Sequence, residues 1–140
     1  MINDIKEHMR RREMIDKTRL LMTQTLPVDD SDETSLMLGY NGFYMQVSFY
    51  KVQPLIVVHL ARALSRRVNS KDVQFINEMN LKCVLGCHAI NTEISCYSYR
   101  TTHWLDVELT RERILEMLEC DVDEAERVCF QLAHRLEVKR

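Results

Sequence analysis

The chain has 140 residues, of which 46% are apolar and 29% are charged, as is usual for a globular domain. That length can bury a core without disulfides or a metal, so we expect one domain over residues 1–140, with a helical segment at 1–26 and a core at 35–140. The formal net charge of −2 argues against a dedicated nucleic-acid binder, and no window approaches the roughly 20 apolar residues of a membrane span.

The cysteines and the amino-terminal sequence indicate the cellular compartment of the protein. Five cysteines in no recognisable framework, with no cleavable apolar leader, are typical of a protein of the reducing cytoplasm. Three glycines and two prolines leave no room for a Gly-rich phosphate loop. We therefore expect a cytoplasmic protein with no cofactor and no metal.

The first predicted element is a helix over residues 1–26. Its apolar residues change sides after Met9, so we predict a break near residues 10–12. The three arginines there could bind nucleic acid or an acidic lipid surface, but interleaved acidic residues favour a solvated face. Residues 27–34 are acidic and predict a connector.

Residues 35–64 carry the clearest strand pattern of the chain. Asn41-Gly42 suits a two-residue type I′ turn, which needs positive φ at both central positions. Apolar residues alternate with others on both sides of this turn, which predicts a hairpin. The run 54–60 is apolar apart from His59, so we expect a central strand covered on both faces, with His59 as a core histidine.

The second half predicts a helix, a hairpin and a helix. Residues 62–71 are basic and loop-like, and Ser70 could cap a short helix whose inner face includes Val73, Phe75, Ile76 and Met79. Strands at 84–90 and 94–105 would form a hairpin around residues 91–93. Thr110 could cap the last helical region, in which Asp121 starts a second capping pattern. The order α-β-β-β-α-β-β-α favours an α+β fold, with an antiparallel sheet of about five strands and helices around it.

Several segments of this half resemble a known family. They are the sequences Phe-Ile-Asn-Glu-Met-Asn at 75–80, Leu-Gly-Cys-His-Ala at 85–89, Trp-Leu-Asp at 104–106 and Leu-Thr-Arg-Glu at 109–112. Together they resemble the YbjN-like family of bacterial proteins, often labelled as sensory transduction regulators. The resemblance runs from the first hairpin to the end of the chain. It implies a type III secretion chaperone-like fold, a curved antiparallel sheet flanked by helices, that pairs into a homodimer. The chain departs from the family at residues 91–93, where many relatives have an Asp-Gly turn.

Asn77 and Asn80 are the most recognisable residues of the resemblance. Two carboxamides one helical turn apart could grip the backbone of a partner. Asn also bonds local backbone readily, so the pair could instead end the helix and satisfy the chain as it turns. We favour the structural interpretation and keep both residues as candidate partner-binding residues.

A cluster of cysteine and histidine residues offers an alternative function. Cys83, Cys87, His88 and Cys96 could hold zinc, and Cys87 could face Cys96 across the second hairpin as a redox pair. The spacing matches no recognised zinc motif, and free cysteine is commonly a small buried hydrophobe, so we favour inert thiols. No nucleophile elbow or HExxH motif is present, and we expect no catalytic residue.

The amount of apolar surface favours a binding function. Tyr44 and Tyr50 lie on the outer side of the predicted hairpin, and short helices must cover the rest, so surplus apolar faces predict a partner. We expect a non-enzymatic protein- or peptide-binding module that forms a homodimer; the alternative is a small thiol- or zinc-dependent enzyme. The candidate partner-binding residues are Tyr44, Tyr50, Met9, Met14, Asn77 and Asn80.

Overall fold

A computed structural model describes residues 2–50, 52–105 and 108–138 of the chain, with the side chains of residues 3–134 in those ranges. Asp106, which belongs to one of the family segments, lies outside the described residues. The elements in chain order are α1 (Ile2–Thr25), β1 (Asp30–Ser31), β2 (Ser35–Tyr40), β3 (Phe43–Tyr50), β4 (Leu55–Ala63), α2 (Ser70–Lys82), β5 (Gly86–Asn91), β6 (Cys96–Trp104) and α3 (Arg111–Val138).

The described strands form one antiparallel sheet in the order β1-β2-β3-β4-β6-β5. The α+β class is confirmed, and the sheet has six strands where about five were predicted, because the acidic connector contributes the two-residue strand β1. Helices α1, α2 and α3 pack on one face of the sheet. Their apolar residues join Phe43, Met45, Ile56 and Leu60 in one core.

The β2–β3 turn has the predicted geometry. Asn41 has φ 49° and Gly42 has φ 80°, which is the left-handed backbone of a type I′ turn. Arg62 fastens this turn: its guanidinium lies 3.7 Å from the centre of the Phe43 ring and donates to the Asn41 carbonyl and to Glu126 of α3. These contacts explain why β4 continues through Arg62 to Ala63, where a loop was predicted.

Strand β4 is central, but its two faces differ. Ile56, Val58 and Leu60 are buried against the helices. On the opposite face Val57 is only 8% exposed, whereas His59 is exposed to solvent. The prediction of a core histidine is therefore wrong, because no described helix covers the outer side of the sheet.

Three helix boundaries also differ from the predictions. Helix α1 does not break at residues 10–12, because its two apolar groups are stripes on opposite faces of one continuous helix. Asn69, not Ser70, caps α2, in a capping box with Asp72. Helix α3 runs through Asp121, whose side chain is buried and accepts a hydrogen bond from His103 instead of capping a new helix.

Candidate functional site

One face of the sheet carries no helix, and we call it the open face. Sheet register places its residues on adjacent strands. They are Met37 on β2, Tyr44, Gln46, Ser48 and Tyr50 on β3, Leu55, Val57, His59 and Ala61 on β4, and Ser98, Arg100, Thr102 and Trp104 on β6. Cys87 and Ala89 of β5 pair with Arg100 and Ser98 and lie on the same face, so the face presents side chains from five strands without a described layer above them.

The most apolar part of the open face is one corner. Tyr50 pairs with Leu55, and Leu55 pairs with Trp104, so three large side chains form one cross-strand row, the aromatic corner. Tyr50 is 46% exposed and Trp104 is 63% exposed. From Trp104 a groove of about 450 Å³ continues past Leu105 towards α3, where Met117 lines it. The corner and the groove give a partner both a flat apolar surface and a recess.

The other predicted tyrosine lies further along the same face. Tyr44 is exposed and pairs with Ala61, which pairs with Ser98. Small side chains thus lie beside the Tyr44 ring. This row gives a partner room to approach the sheet backbone, with Tyr44 as a lateral contact.

The two predicted methionines lie on different sides of α1. Met9 is exposed, in a stripe with Ile5 and Leu20 that we call the α1 stripe. Met14 is 9% exposed and belongs to the core with Ile15. Met14 therefore has no free surface for a partner, because it lies on the face of α1 that packs against the sheet.

Asn80 binds an edge strand within the chain. Its side-chain amide donates to the His88 carbonyl over 2.8 Å, and its side-chain oxygen accepts from the His88 N–H over 2.7 Å. It thus occupies the outward-facing backbone groups of β5, as a neighbouring strand would. This matches the structural interpretation for Asn80, whereas Asn77 is exposed on the same helix.

Replacing Asn80 by alanine should lower the free energy of unfolding by about 2 kcal/mol, because two hydrogen bonds are lost and the His88 N–H and C=O are left unpaired. Asn77→Ala, one turn earlier in α2, is the matched control and should change it by less than about 0.5 kcal/mol. Urea unfolding followed by circular dichroism measures both. Equal effects of the two substitutions would contradict the edge-binding role.

The residues of the predicted cysteine cluster do not lie together in the structure. Cys87 pairs with Arg100 and Cys96 pairs with Asn91, so the two cysteines do not face each other across the hairpin. The redox pair is therefore wrong, because the strand register offsets the two thiols. All five cysteines lie within the described residues and are free.

Cys83 and His88 instead meet Glu124, and this is the site that the spacing of the sequence did not show. One ligand-type atom from each lies within 4.8 Å of the others. The His88 Nε2 atom is 3.2 Å from Glu124 Oε1, and Nδ1 is 2.6 Å from the Tyr97 hydroxyl. Burial lowers the pKa of His88, which the hydrogen bond to Glu124 offsets in part. The hydrogen bonds from Arg127 lower the pKa of Glu124.

A second histidine is held by a carboxylate. The Nε2 atom of His103 lies 2.8 Å from Asp121 Oδ2 and 3.1 Å from the Thr101 hydroxyl. Because a carboxylate only accepts, Nε2 donates its proton to Asp121. The pair fastens β6 to α3 and fixes one wall of the groove beside Trp104.

Comparisons with known proteins identify the fold. No family model and no curated protein match the sequence. YbjN from E. coli, a candidate transcription regulator, aligns with a TM-score of 0.62 at 9% identity, over 86% of this chain and 92% of that chain. A chain of the HopA1–SchA chaperone–effector complex aligns at 0.51 and 10% identity, over 81% of this chain and 84% of that chain. A chain of the ExoT–SpcS complex from Pseudomonas aeruginosa aligns at 0.51 and 19% identity, over 84% of this chain and 95% of that chain.

The predicted YbjN-like, type III secretion chaperone-like fold is thus confirmed. At these identities the similarity concerns the fold alone. Over the residues described, none of the helices has the length and apolar character needed to cross a membrane.

Proposed function

We propose that this protein is a non-enzymatic, chaperone-like binding module that forms a homodimer and holds a protein client. The observation that carries the proposal is the aromatic corner, where Tyr50, Leu55 and Trp104 lie side by side on a sheet face that no described helix covers. Tyr and Trp are enriched where protein interfaces gain most of their binding energy. We assign the corner to the second copy of the chain.

The edges of the sheet favour the face over edge pairing as the contact surface. Strand β1 has two residues, and the Asp29 carboxylate beside it accepts from the Gly39 N–H of β2. At the opposite edge Asn80 occupies the outward groups of β5 at His88. Short, acidic and side-chain-capped edges resist the addition of another strand. A partner therefore gains more from the open face.

The fold supports a protein client, and the free thiols support a reducing compartment. A structure with this fold is a chaperone–effector complex, which supports a protein client here. The α1 stripe lies on the helical side, with charged residues between Met9 and Leu20, and is the place that we assign to the client. Five free thiols suit a reducing compartment, so we place the protein in the cytoplasm.

An enzyme that uses Cys83, Cys87, His88 and Cys96 is the alternative function. The strand register opposes it, because Cys87 and Cys96 belong to the outer side of the β5–β6 pair whereas His88 points into the core. Burial raises the pKa of the fifth thiol, Cys129, to about 12, so that thiol stays protonated at neutral pH. The arrangement supports binding over thiol catalysis.

The single tryptophan makes the dimer testable without a label. At micromolar concentration, sedimentation should give twice the chain mass of 16.6 kDa, and Trp104 emission should move to longer wavelength as dilution separates the copies. Tyr50→Ser, which keeps the fluorophore, should weaken dimerisation by about 2 kcal/mol, or roughly thirtyfold in the dissociation constant. Phe130→Ser removes an even more exposed aromatic ring, from α3, and is the control.

Two results would contradict this assignment. A chain that sediments at its own mass at every concentration has no homodimer. A dimer that persists in Tyr50→Ser and Trp104→Ser but dissociates in Met9→Ser forms through the α1 stripe. The second copy would then bind the α1 stripe, and the aromatic corner would be left for the client.

A further inference from the structure

The strongest unassigned constellation is the Cys83, His88 and Glu124 cluster. Cys83 ends α2, His88 lies in β5, and Glu124 lies in the middle of α3, so three separate elements bring their side chains to one point. One potential ligand atom of each lies within 4.8 Å of the other two. We propose that this cluster is a divalent metal site of the zinc class, with one coordination position open to solvent.

The ligand set fits that class of metal. Zinc takes cysteine sulfur, histidine nitrogen and carboxylate oxygen, and three protein ligands leave a fourth position for water or another ligand. Two ligands at about 2.0 Å from a tetrahedral ion lie about 3.3 Å apart, close to the 3.2 Å between His88 Nε2 and Glu124 Oε1.

The surrounding hydrogen bonds determine which atoms of His88 and Glu124 would bind a metal. His88 Nδ1 is held 2.6 Å from the Tyr97 hydroxyl, so Nε2 is the atom that faces Glu124. When Nε2 binds an ion, the ring carries its proton on Nδ1 and donates it to the Tyr97 oxygen, as second-shell partners of metal-bound histidines do. Arg127 donates to both Glu124 oxygens, to Oε1 over 2.7 Å and to Oε2 over 3.1 Å. On binding an ion, Oε1 would exchange its Arg127 bond for the metal, while Oε2 keeps Arg127. The Cys83 thiol releases its proton to solvent on binding.

An independent observation places a ligand at the same point. Tyr99 is 1% exposed and its ring stacks on His88, with 4.7 Å between ring centres. The Cys83 side chain approaches the Tyr99 hydroxyl, which makes no hydrogen bond of regular geometry within the part of the chain that the structure describes. Tyr99 lines a groove of about 370 Å³ together with Cys83 and Glu124. A metal-bound water in that groove would give the buried hydroxyl its partner.

Cobalt(II) tests the site on the full-length, reduced and chelator-treated protein, because a cobalt–thiolate bond absorbs in the near ultraviolet. We expect one Co²⁺ per chain, that absorption band, and its loss when Zn²⁺ displaces the cobalt. Cys83→Ser should abolish the band, and Glu124→Gln should weaken binding tenfold or more, since losing even a second-shell partner costs about that much. Cys87→Ser, beside His88 on β5, and Glu119→Gln, on the same helix as Glu124, are the matched controls, and both should bind as the parent does.

Each result of the cobalt titrations supports or contradicts the metal site. The absence of a thiolate band in the parent at saturating Co²⁺ overturns the site. A band that persists in Cys83→Ser, or that disappears in Cys87→Ser, places the sulfur ligand elsewhere and overturns it too. Circular dichroism of each variant shows that it is folded. Dimerisation through the aromatic corner is measured separately, so failure of the metal site leaves the proposed binding function standing.

Discussion

Replacing Gly86 by alanine should lower the free energy of unfolding by about 3 kcal/mol, the upper end for overpacking a tight site. A Cβ atom at this position would lie 2.5 Å from the Arg100 carbonyl oxygen and 2.7 Å from both Thr101 Cγ2 and Tyr99 Cζ. None of these atoms is the free end of a flexible chain, because one is backbone and the others belong to buried residues of β6. The start of β5 would have to move away from β6.

Gly39→Ala is the matched control, in strand β2 of the same sheet. A Cβ there meets no heavy atom within 4 Å. Reduced freedom of the unfolded chain should make this variant neutral or up to about 1 kcal/mol more stable. The urea midpoints of both variants measure the difference, and a Gly86→Ala variant as stable as the parent would show that β5 and β6 are not packed as described.

Local signals in the sequence predicted the hairpin correctly. Asn41-Gly42 specifies the turn by backbone conformation alone, and alternation specifies which face of β3 is buried. The same approach failed at β4. Val57 is apolar although it lies on the open face, so the alternation of apolar and polar residues that would have placed His59 on that face is not visible in the sequence. A strand can be apolar because helices cover both of its faces, or because side chains of neighbouring strands shield it on a face without helices. Apolar content alone does not distinguish these two cases.

The remaining errors come from long-range partners. The basic run 62–71 predicts a loop, yet Arg62 belongs to β4, where its guanidinium contacts the Phe43 ring and binds Glu126. Asp121 has the pattern of a helix cap, but His103 uses its carboxylate. These partners are distant in sequence and become neighbours only through the fold.

The cluster of Cys83, His88 and Glu124 shows the same limit. Cys83 and His88 belong to the candidate set of the sequence analysis, but the third residue, Glu124, comes from α3, 36 positions after His88. The nearer candidates, Cys87 and Cys96, belong to the other face of the hairpin. Strand alternation alone could have separated Cys87 from His88, because consecutive side chains point to opposite faces.

Asp72 should be the most sensitive charged residue of the protein. Its side chain is fully buried, and its two oxygens bind different groups: Oδ2 accepts from the Asn69 N–H over 2.9 Å and Oδ1 accepts from Arg66 over 2.9 Å. Asp72→Ala removes half of the capping box and leaves the Arg66 guanidinium, with its buried Nε, without an opposite charge. We expect a loss of about 3 kcal/mol, below the full cost of breaking a buried pair because Arg66 is partly exposed.

Asp72→Asn separates the contribution of the helix cap from that of the ion pair with Arg66. An amide oxygen can still accept from the Asn69 N–H, so the cap survives, whereas the charge opposite Arg66 is gone; we expect about half of the alanine effect. Glu78→Ala, at an exposed position of the same helix, controls for the loss of an acidic side chain and should change stability by less than about 0.5 kcal/mol. Urea unfolding at pH 7 gives all three values. If Asp72→Asn is as stable as the parent, the contribution of Asp72 is the cap alone and the Arg66 ion pair adds nothing.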